Sequence, residues 1–418
     1  MERKKPIVIE YGNRIGKVLR FPGRVWKIIR RDKIIFAGSI LAFMLFLLAL
    51  FCYLVIPDKT LYANRICLPI GNQPPGFEIT MLRVVENKPS EPQDFFSKLV
   101  HGTKPNDIFI PISSSRYEGT DIVIREFSAS GDSSFVSRYN IADVVYPLKL
   151  EKGIVERNSG LFFETSDGIA IEESINDIQG FIDGQYLLKK KFILGTDRFG
   201  RDVLSRMLAS TRATLFAALI ATLIAIVTGL LLGLFTGFSK RKEKSFLNWL
   251  LQSVSSIPAM LLIIAIMFLV GKGFWNVCLA TGFIMSAEIA RVIAGTLCAA
   301  KEKRIIDGAT ALGIPRRQII RKHILPDITK PFLASAAIVF CGAILIESGL
   351  SFLDVGMNAS FPSWGSMIRE NFGYIIVPGY AYLTLLPGMA IFFVSILFAT
   401  IATRLHHYIN NKYYWTAV

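Results

Sequence analysis

Residues 213–238 read ATLFAALIATLIAIVTGLLLGLFTGF, a run without a charged residue in which apolar side chains fall on every face of a helix. A helix crossing about 30 Å of hydrocarbon at about 1.5 Å per residue needs about 20 such residues. In hydrocarbon each backbone N–H and C=O must pair within its own segment, so a run of this length reads as a membrane span. Working outward, residues 34–56, 246–270, 274–298, 332–353 and 381–403 qualify or nearly qualify, the fourth span being the weakest because Glu288 and Arg291 interrupt it. The expected fold is an all-α membrane protein with six transmembrane helices. Residues 34–56 are too long for a signal-peptide core and lack a small-residue cleavage pattern, so they are expected to stay as an anchor. Pro258 and Pro387 are expected to kink the third and sixth spans.

Hydrophobic residues make up 52% of the 418-residue chain and charged residues 19%, yet the formal net charge is +15. The position of the basic residues therefore carries information. Lys and Arg crowd the arm 1–33, against Glu2, Glu10 and Asp32, and they recur at Lys240, Arg241, Lys242 and Lys244 and again through 301–330. Basic residues beside spans are retained in the cytoplasm, which puts the arm, the 239–245 loop, the 301–326 loop and the 406–418 tail inside. The excess is topological and disfavours a nucleic-acid partner. Residues 57–192 then lie outside. The five cysteines show no CxxC spacing and read as small apolar residues, with Cys67 lacking a partner in the outer region.

The outer segment 57–192 contains β-like runs such as DIVIREF at 121–127 and ADVVYPLKL at 142–150, separated by Gly, Pro, Ser and Asn. A β-rich or α+β extracytoplasmic insert between spans 1 and 2 is expected. A short amphipathic helix within 193–212, begun by Asp202 at its positive end, is expected to lie along the outer membrane surface before the membrane core 213–405. Within the fourth span Glu288 and Arg291 sit three residues apart on one face, near the span's end. They read either as a snorkelling pair at the interface or as a polar contact inside the core. Glu347, near the outer end of the fifth span, is expected to face a water-filled vestibule.

Residues 301–326 read KEKRIIDGATALGIPRRQIIRKHILP. Ile305, Ile306, Ala309 and Leu312 form an apolar face at helical spacing, and Gly313 suits the left-handed conformation that ends a helix. Pro315 suits the first turn of a second helix carrying Ile319, Ile320 and Ile324 among Arg316, Arg317, Arg321 and Lys322. Pro326 would stop that helix after Leu325. Two short helices with a sharp break make a projecting knuckle. It reads either as a basic loop against lipid headgroups or as a docking element for a cytoplasmic partner.

Asp307-Gly308-Ala309, Gly313 and Ile324-Leu325-Pro326, with Pro315, Arg316, Arg317 and His323 between them, resemble the coupling loop of ABC importer permeases, with its spacing kept. Asp307 departs from the usual Glu and Gly308 from the usual Ala. Two further stretches are similar to the dipeptide and oligopeptide (peptide/nickel) subgroup, specifically its second permease subunit. One is LGTDRFGRDVLSRM at 194–207, with Gly195, Thr196, Asp197, Gly200, Arg201, Asp202, Ser205 and Arg206. The other, LSFLDVGMNASFPSWG at 350–365, follows Glu347 and supplies Leu350, Ser351, Phe352, Leu353, Gly356, Pro362, Ser363, Trp364 and Gly365. Asp354 stands there in place of the usual Gly. The likeness covers about the first 55 residues and everything from Ile193 onward, and it leaves the insert out.

The resemblance implies a type I permease fold in a bacterial inner membrane, multi-pass with both termini cytoplasmic. It implies pairing with a second permease, two ATPase subunits carrying ATP and Mg, and an extracytoplasmic substrate-binding protein. No GxxxxGK[ST], HExxH or GxSxG occurs in the sequence, so no enzymatic activity and no cofactor of its own is expected. Peptides are the expected cargo, with nickel chelates or another small solute as alternatives. A secondary transporter and a membrane-anchored receptor are the rivals from other classes.

Overall fold

A computed structural model describes residues 32–87, 94, 97–98, 102–103, 107–128, 135–149, 153–157, 160–302, 313, 315, 318, 325–358 and 361–410. Helix α1 (Lys33–Leu50) starts at Asp32, whose carboxylate accepts from the backbone N–H of Ile34 at 2.8 Å and Ile35 at 3.2 Å. That satisfies two of the donors a helix start leaves unpaired. After a break at Phe51, α2 (Cys52–Val55) ends the first span.

The insert between the first two spans is α+β. Strands β1 (Phe77–Val85), β2 (Asp107–Glu118), β3 (Asp121–Glu126) and β4 (Val136–Asn140) lead to α3 (Ile141–Val145). A second sheet follows, β5 (Val155–Arg157), β6 (Gly160–Glu164) and β7 (Ala170–Ser174), then α4 (Ile175–Phe181) and β8 (Leu187–Phe192). The first sheet is antiparallel in the order β4-β3-β2-β1-β8, so the chain returns beside β1 before re-entering the membrane region. Leu82, Ile122, Ile124, Leu161, Phe163 and Ile178 join both sheets and the helices in one core. The run at 142–150 is not a strand: Asn140 caps α3, its Oδ1 accepting from the N–H of Ala142 at 3.0 Å. Val144 and Val145 are buried on that short helix, so packing overrides the β preference of valine.

Helix α5 (Val203–Phe238) is continuous, so the separate surface helix expected within 193–212 is instead the first turns of a long span. The expected third span is broken. Helices α6 (Arg241–Ser256) and α7 (Ala259–Val270) meet at 89°. Ile257, between them, is extended at φ −91° and ψ 133°, because Pro258 crowds the α conformation of the residue before it. Helices α8 (Phe274–Glu302), α9 (Leu325–Phe352), α10 (Trp364–Asn371) and α11 (Tyr382–Asn410) complete the chain. Pro326 stands in the first turn of α9, where a missing N–H is harmless, and α11 runs without interruption through Pro387. Among the described residues five helices are long and apolar enough to span a membrane, and six spans result if the bent pair counts as one.

Helix α5 runs through the middle of the bundle and meets α8 most closely. Gly229 and Gly233 face Ile289 and Ile293 so tightly that a Cβ on either would stand 2.7 Å from the isoleucine Cβ. Small residues at such a spacing let two helix backbones approach, and the resulting dispersion contacts hold helices together where lipid removes the hydrophobic drive. Gly233→Ala is expected to destabilise the full-length chain by about 1–3 kcal/mol through overpacking. Gly295, on the open side of α8 with nothing within 4 Å, should accept alanine with no loss. Thermal unfolding of both variants in the same detergent distinguishes them.

Candidate functional site

The 194–206 stretch is a buried joint. Gly195 and Gly200 adopt φ of 72° and 71°, the left-handed values open to glycine. A Cβ at Gly200 would come within 1.8 Å of the Cys67 carbonyl oxygen, and one at Gly195 within 2.3 Å of that of Gln73. Both glycines thus let the stretch lie against residues 65–74 at the base of the insert. Thr196 locks the contact, its Oγ1 donating to the Ile70 carbonyl at 2.5 Å and accepting from the Gln73 N–H at 2.8 Å.

Charge completes the joint. Asp197 accepts from the N–H of Phe199 at 2.9 Å and of Arg201 at 3.0 Å, and from the Arg201 side chain at 2.6 Å. Glu370 of α10 binds both Arg201 and Arg206, the latter at 3.0 Å. Asn64 accepts from Arg201 at 3.0 Å. Arg206 is 2% exposed and Asp197 2%, so these ions are held by one another rather than by water. Beside them Asp202 caps α5, accepting from the N–H and hydroxyl of Ser205, and the Ser205 hydroxyl in turn accepts from the N–H of Asp58 at 3.0 Å. Burial pushes the Asp202 carboxyl up against the pull of these bonds, and burial lowers the Lys190 ammonium, which faces Asp58 and Asp202.

The 347–365 stretch is a second joint, between α9, α5 and α10. Glu347 is 1% exposed and accepts from the Ser351 hydroxyl at 2.8 Å. It is packed within the chain and faces no vestibule, because Ser348 and Ser351 on its own helix and Thr214 and Ser363 on its neighbours supply the polar partners that water would otherwise give. Ser363 caps α10, its hydroxyl accepting from the Ser366 N–H at 3.2 Å, and Trp364 is 2% exposed beneath it. Leu350 is buried with Met357 against α7 and α8, while Phe352 meets Phe372 and Leu353 is exposed. A Cβ at Gly365 would strike the Ser348 carbonyl oxygen at 2.0 Å, and one at Gly356 the Ser351 hydroxyl at 2.7 Å. Pro362 is buried just ahead of the capped start of α10. Asp354 has φ 61°, a conformation in which glycine is the unstrained residue. Ion pairs with Lys272, at 2.9 Å, and with Arg369 hold it there, and the Lys272 bond, with Arg369 beside it, keeps its carboxyl below the usual aspartate range.

Of the knuckle, Gly313, Pro315 and Gln318 are described, together with the backbone of Leu325 and Pro326. Asp307, Gly308, Ala309, Arg316, Arg317, His323 and Ile324 lie outside the described residues. Gly313 has φ 72°, and the Gln318 N–H donates to the Pro315 carbonyl at 2.8 Å, a turn that starts at the proline.

Glu288 and Arg291 do pair, but neither in the core nor at the helix end. Glu288 is equidistant from the two ends of α8, about 21 Å from each along the axis. Their side chains remain 47% and 42% exposed. A charge held in hydrocarbon on the middle of a helix costs about 2.5–3.5 kcal/mol on insertion scales.

Over residues 229–413 the chain matches the family described as binding-protein-dependent transport system inner membrane component. It is 30% identical over 223 residues to the peptide transport system permease protein SapC of Haemophilus influenzae, covering 53% of this chain and 75% of that one. The chain belongs to this family. It is also 31% identical over 176 residues to the oligopeptide transport system permease protein OppC of the same organism, covering 42% of this chain and 57% of the relative. A solved structure titled inward facing conformations of the MetNI methionine ABC transporter has a TM-score of 0.39 and 16% identity, covering 50% of this chain and 98% of that one. The matched region begins inside α5 and takes in α6 to α11 with the knuckle between α8 and α9, whereas the insert lies outside it. As a family member with several apolar helices, this inner membrane component is a multi-pass membrane protein.

Sequence reading had singled out the 194–206 and 347–365 stretches but not their partners elsewhere in the chain, among them Asp58, Asn64, Thr214, Lys272, Arg369 and Glu370, which carry no local signal. In the inner membrane component Glu370→Leu leaves Arg201 and Arg206 buried without their shared carboxylate. Such a loss costs about 3–5 kcal/mol, so the full-length variant is expected to unfold well below the parent temperature in detergent. Glu370→Gln, which keeps an acceptor oxygen, should fall between the two in the same melt.

Proposed function

We propose that this chain is one of two permease subunits of an ATP-driven importer of peptides. Two separate ATPase subunits would bind ATP and Mg, and an extracytoplasmic binding protein would deliver cargo. The observation that carries the reading is the family match over 229–413, which contains the 301–326 knuckle. The two relatives named above are peptide and oligopeptide permease proteins, which supports peptide as the cargo. The basic arm, the 239–245 loop and the knuckle support an orientation with both termini in the cytoplasm.

In this reading the knuckle fits into a groove on an ATPase subunit, and closure of the ATPases on ATP turns the helices as rigid bodies between inward-facing and outward-facing arrangements. Such a link must be stiff at the point of force. Gly313 has φ 72° and would be the stiff turn of the link, with Asp307, Arg316 and Arg317 as docking contacts. A β-branched residue cannot take that φ without strain of about 1–3 kcal/mol.

Gly313→Val is accordingly expected to leave the complex assembled in proteoliposomes while ATP hydrolysis no longer drives trialanine uptake, which should fall at least about tenfold. Uptake at the parent rate would remove the knuckle from the coupling route. Orientation has its own check: a cysteine placed at Gln318 should react with a membrane-impermeant maleimide only after the cells are opened, and labelling of intact cells would invert the topology. Uptake driven by an ion gradient in vesicles lacking ATPase subunits would favour a secondary transporter.

A further inference from the structure

Helix α8 is packed on all sides but one. Its open stripe runs Trp275, Leu279, Phe283, Glu288, Arg291 and Gly295, apolar in the outer half and charged or small in the inner half. The change occurs at the helix midpoint. Beside this stripe, α6 is fixed to α8 by Leu251 packing on Ala287 and Ala290, and α6 exposes Gln252, Ser255 and Ser256. Two neighbouring helices therefore turn polar groups outward at the same level of a membrane bundle. Lipid would penalise this arrangement, and nothing else in the described chain covers it. A face of that composition suits water better than lipid.

We propose that Glu288 and Arg291 line a water-filled cargo route and bind the charged ends of a zwitterionic solute in transit, carboxylate at Arg291 and ammonium at Glu288. The inference rests on the importer reading and specifies the chemistry its route recognises. Complementarity is the reason for this occupant. Residues three apart on a helix have Cβ atoms about 5–6 Å apart, so one helix presents both signs within reach of a short peptide. At rest the two side chains pair with each other, which keeps the empty route neutral. A zwitterion exchanges that bond for two bonds of the same kind and leaves no net charge behind. Transit needs such an exchange, since a site that held only one sign would retain its ligand or repel it. The guanidinium suits a carboxylate through paired parallel N–H bonds.

The test uses the complete importer in proteoliposomes, with the five native cysteines replaced by serine. Glu288→Cys and Arg291→Cys are exposed singly to the charged thiol reagent MTSET, with Phe43→Cys on the outward side of α1, 62% exposed, as the lipid-facing comparison. Both route cysteines are expected to react at least about tenfold faster than the comparison in the ATP-free or the vanadate-trapped state, and saturating trialanine should slow them at least about threefold. Reaction no faster than Phe43→Cys in either state overturns the proposal, whether lipid or a second permease is what seals the face. In a second arm the Glu288→Leu/Arg291→Leu double variant removes both charges and eases insertion. Its trialanine uptake should fall at least about tenfold, and uptake at the parent rate overturns the binding role. Failure of the parent importer to carry trialanine while hydrolysing ATP would instead overturn the peptide reading, with MTSET rates still deciding whether the face is wetted.

Discussion

Four ions hold the insert-side half of this molecule together: Asp197, Arg201, Arg206 and Glu370. Each carries a desolvation penalty of several kcal/mol, and only a closed set of partners offsets it. That requirement is a geometric specification. Arg206 is on the first turn of α5, Glu370 is on α10, and Asn64 belongs to the segment leaving α1, so the charges find partners only when all three segments converge. Glycines at 195 and 200 let the backbone approach that closely, and Thr196 fastens the base of the insert to the same point. The insert thus stands on the bundle through a dry polar joint rather than a flexible linker.

Tight contact between α5 and α8 decides what remains open. The glycines of α5 draw α8 inward until Ile289, Ile293 and Leu297 are fully buried, while α7 and α9 cover Val277, Cys278 and Ile289 from other sides. A helix held on so many faces exposes a single stripe. Among the described residues no neighbour within the chain demands its composition. The polar residues at 288 and 291 belong to that stripe. Their exposure contrasts with the burial of Glu347, which has hydroxyl partners at the end of α9, whereas Glu288 and Arg291 pair with each other.

The membrane bundle was legible wherever one local rule acted alone. Apolar length identified the spans, Asp202 announced the start of α5, and Gly313 announced a left-handed turn. The break at 257–258 was half legible. Proline at 258 predicted a kink, whereas the 89° bend depends also on Ile257 being forced to extend. Failures came where distant packing outweighed local preference. Val144 and Val145 favour strands, yet an asparagine cap and a hydrophobic core turned them into helix. Glu347 looked like a wetted carboxylate because Thr214 and Ser363, its partners, are remote in sequence. The roles of Arg201 and Arg206 were hidden for the same reason, since Glu370 lies 169 and 164 residues away. The four-residue spacing of Gly229, Gly233 and Gly237 was a readable signal of close helix contact that hydropathy alone passes over.

Rigid and weak regions are distributed along the chain in a way that suits a coupled machine. The insert-side ends of α5, α9 and α10 are cross-linked by buried charge and capped hydroxyls, so they resist bending. At the other side of the bundle α8 is described to Glu302 and α9 from Leu325, and the knuckle sequence joins these two long helices. The sharpest break among the described helices is the joint at Ile257 between α6 and α7, whereas α9 continues through Pro331, so a change of angle is most easily absorbed at the α6–α7 corner. A packed interior favours discrete arrangements over continuous deformation, and that is the property alternating access requires.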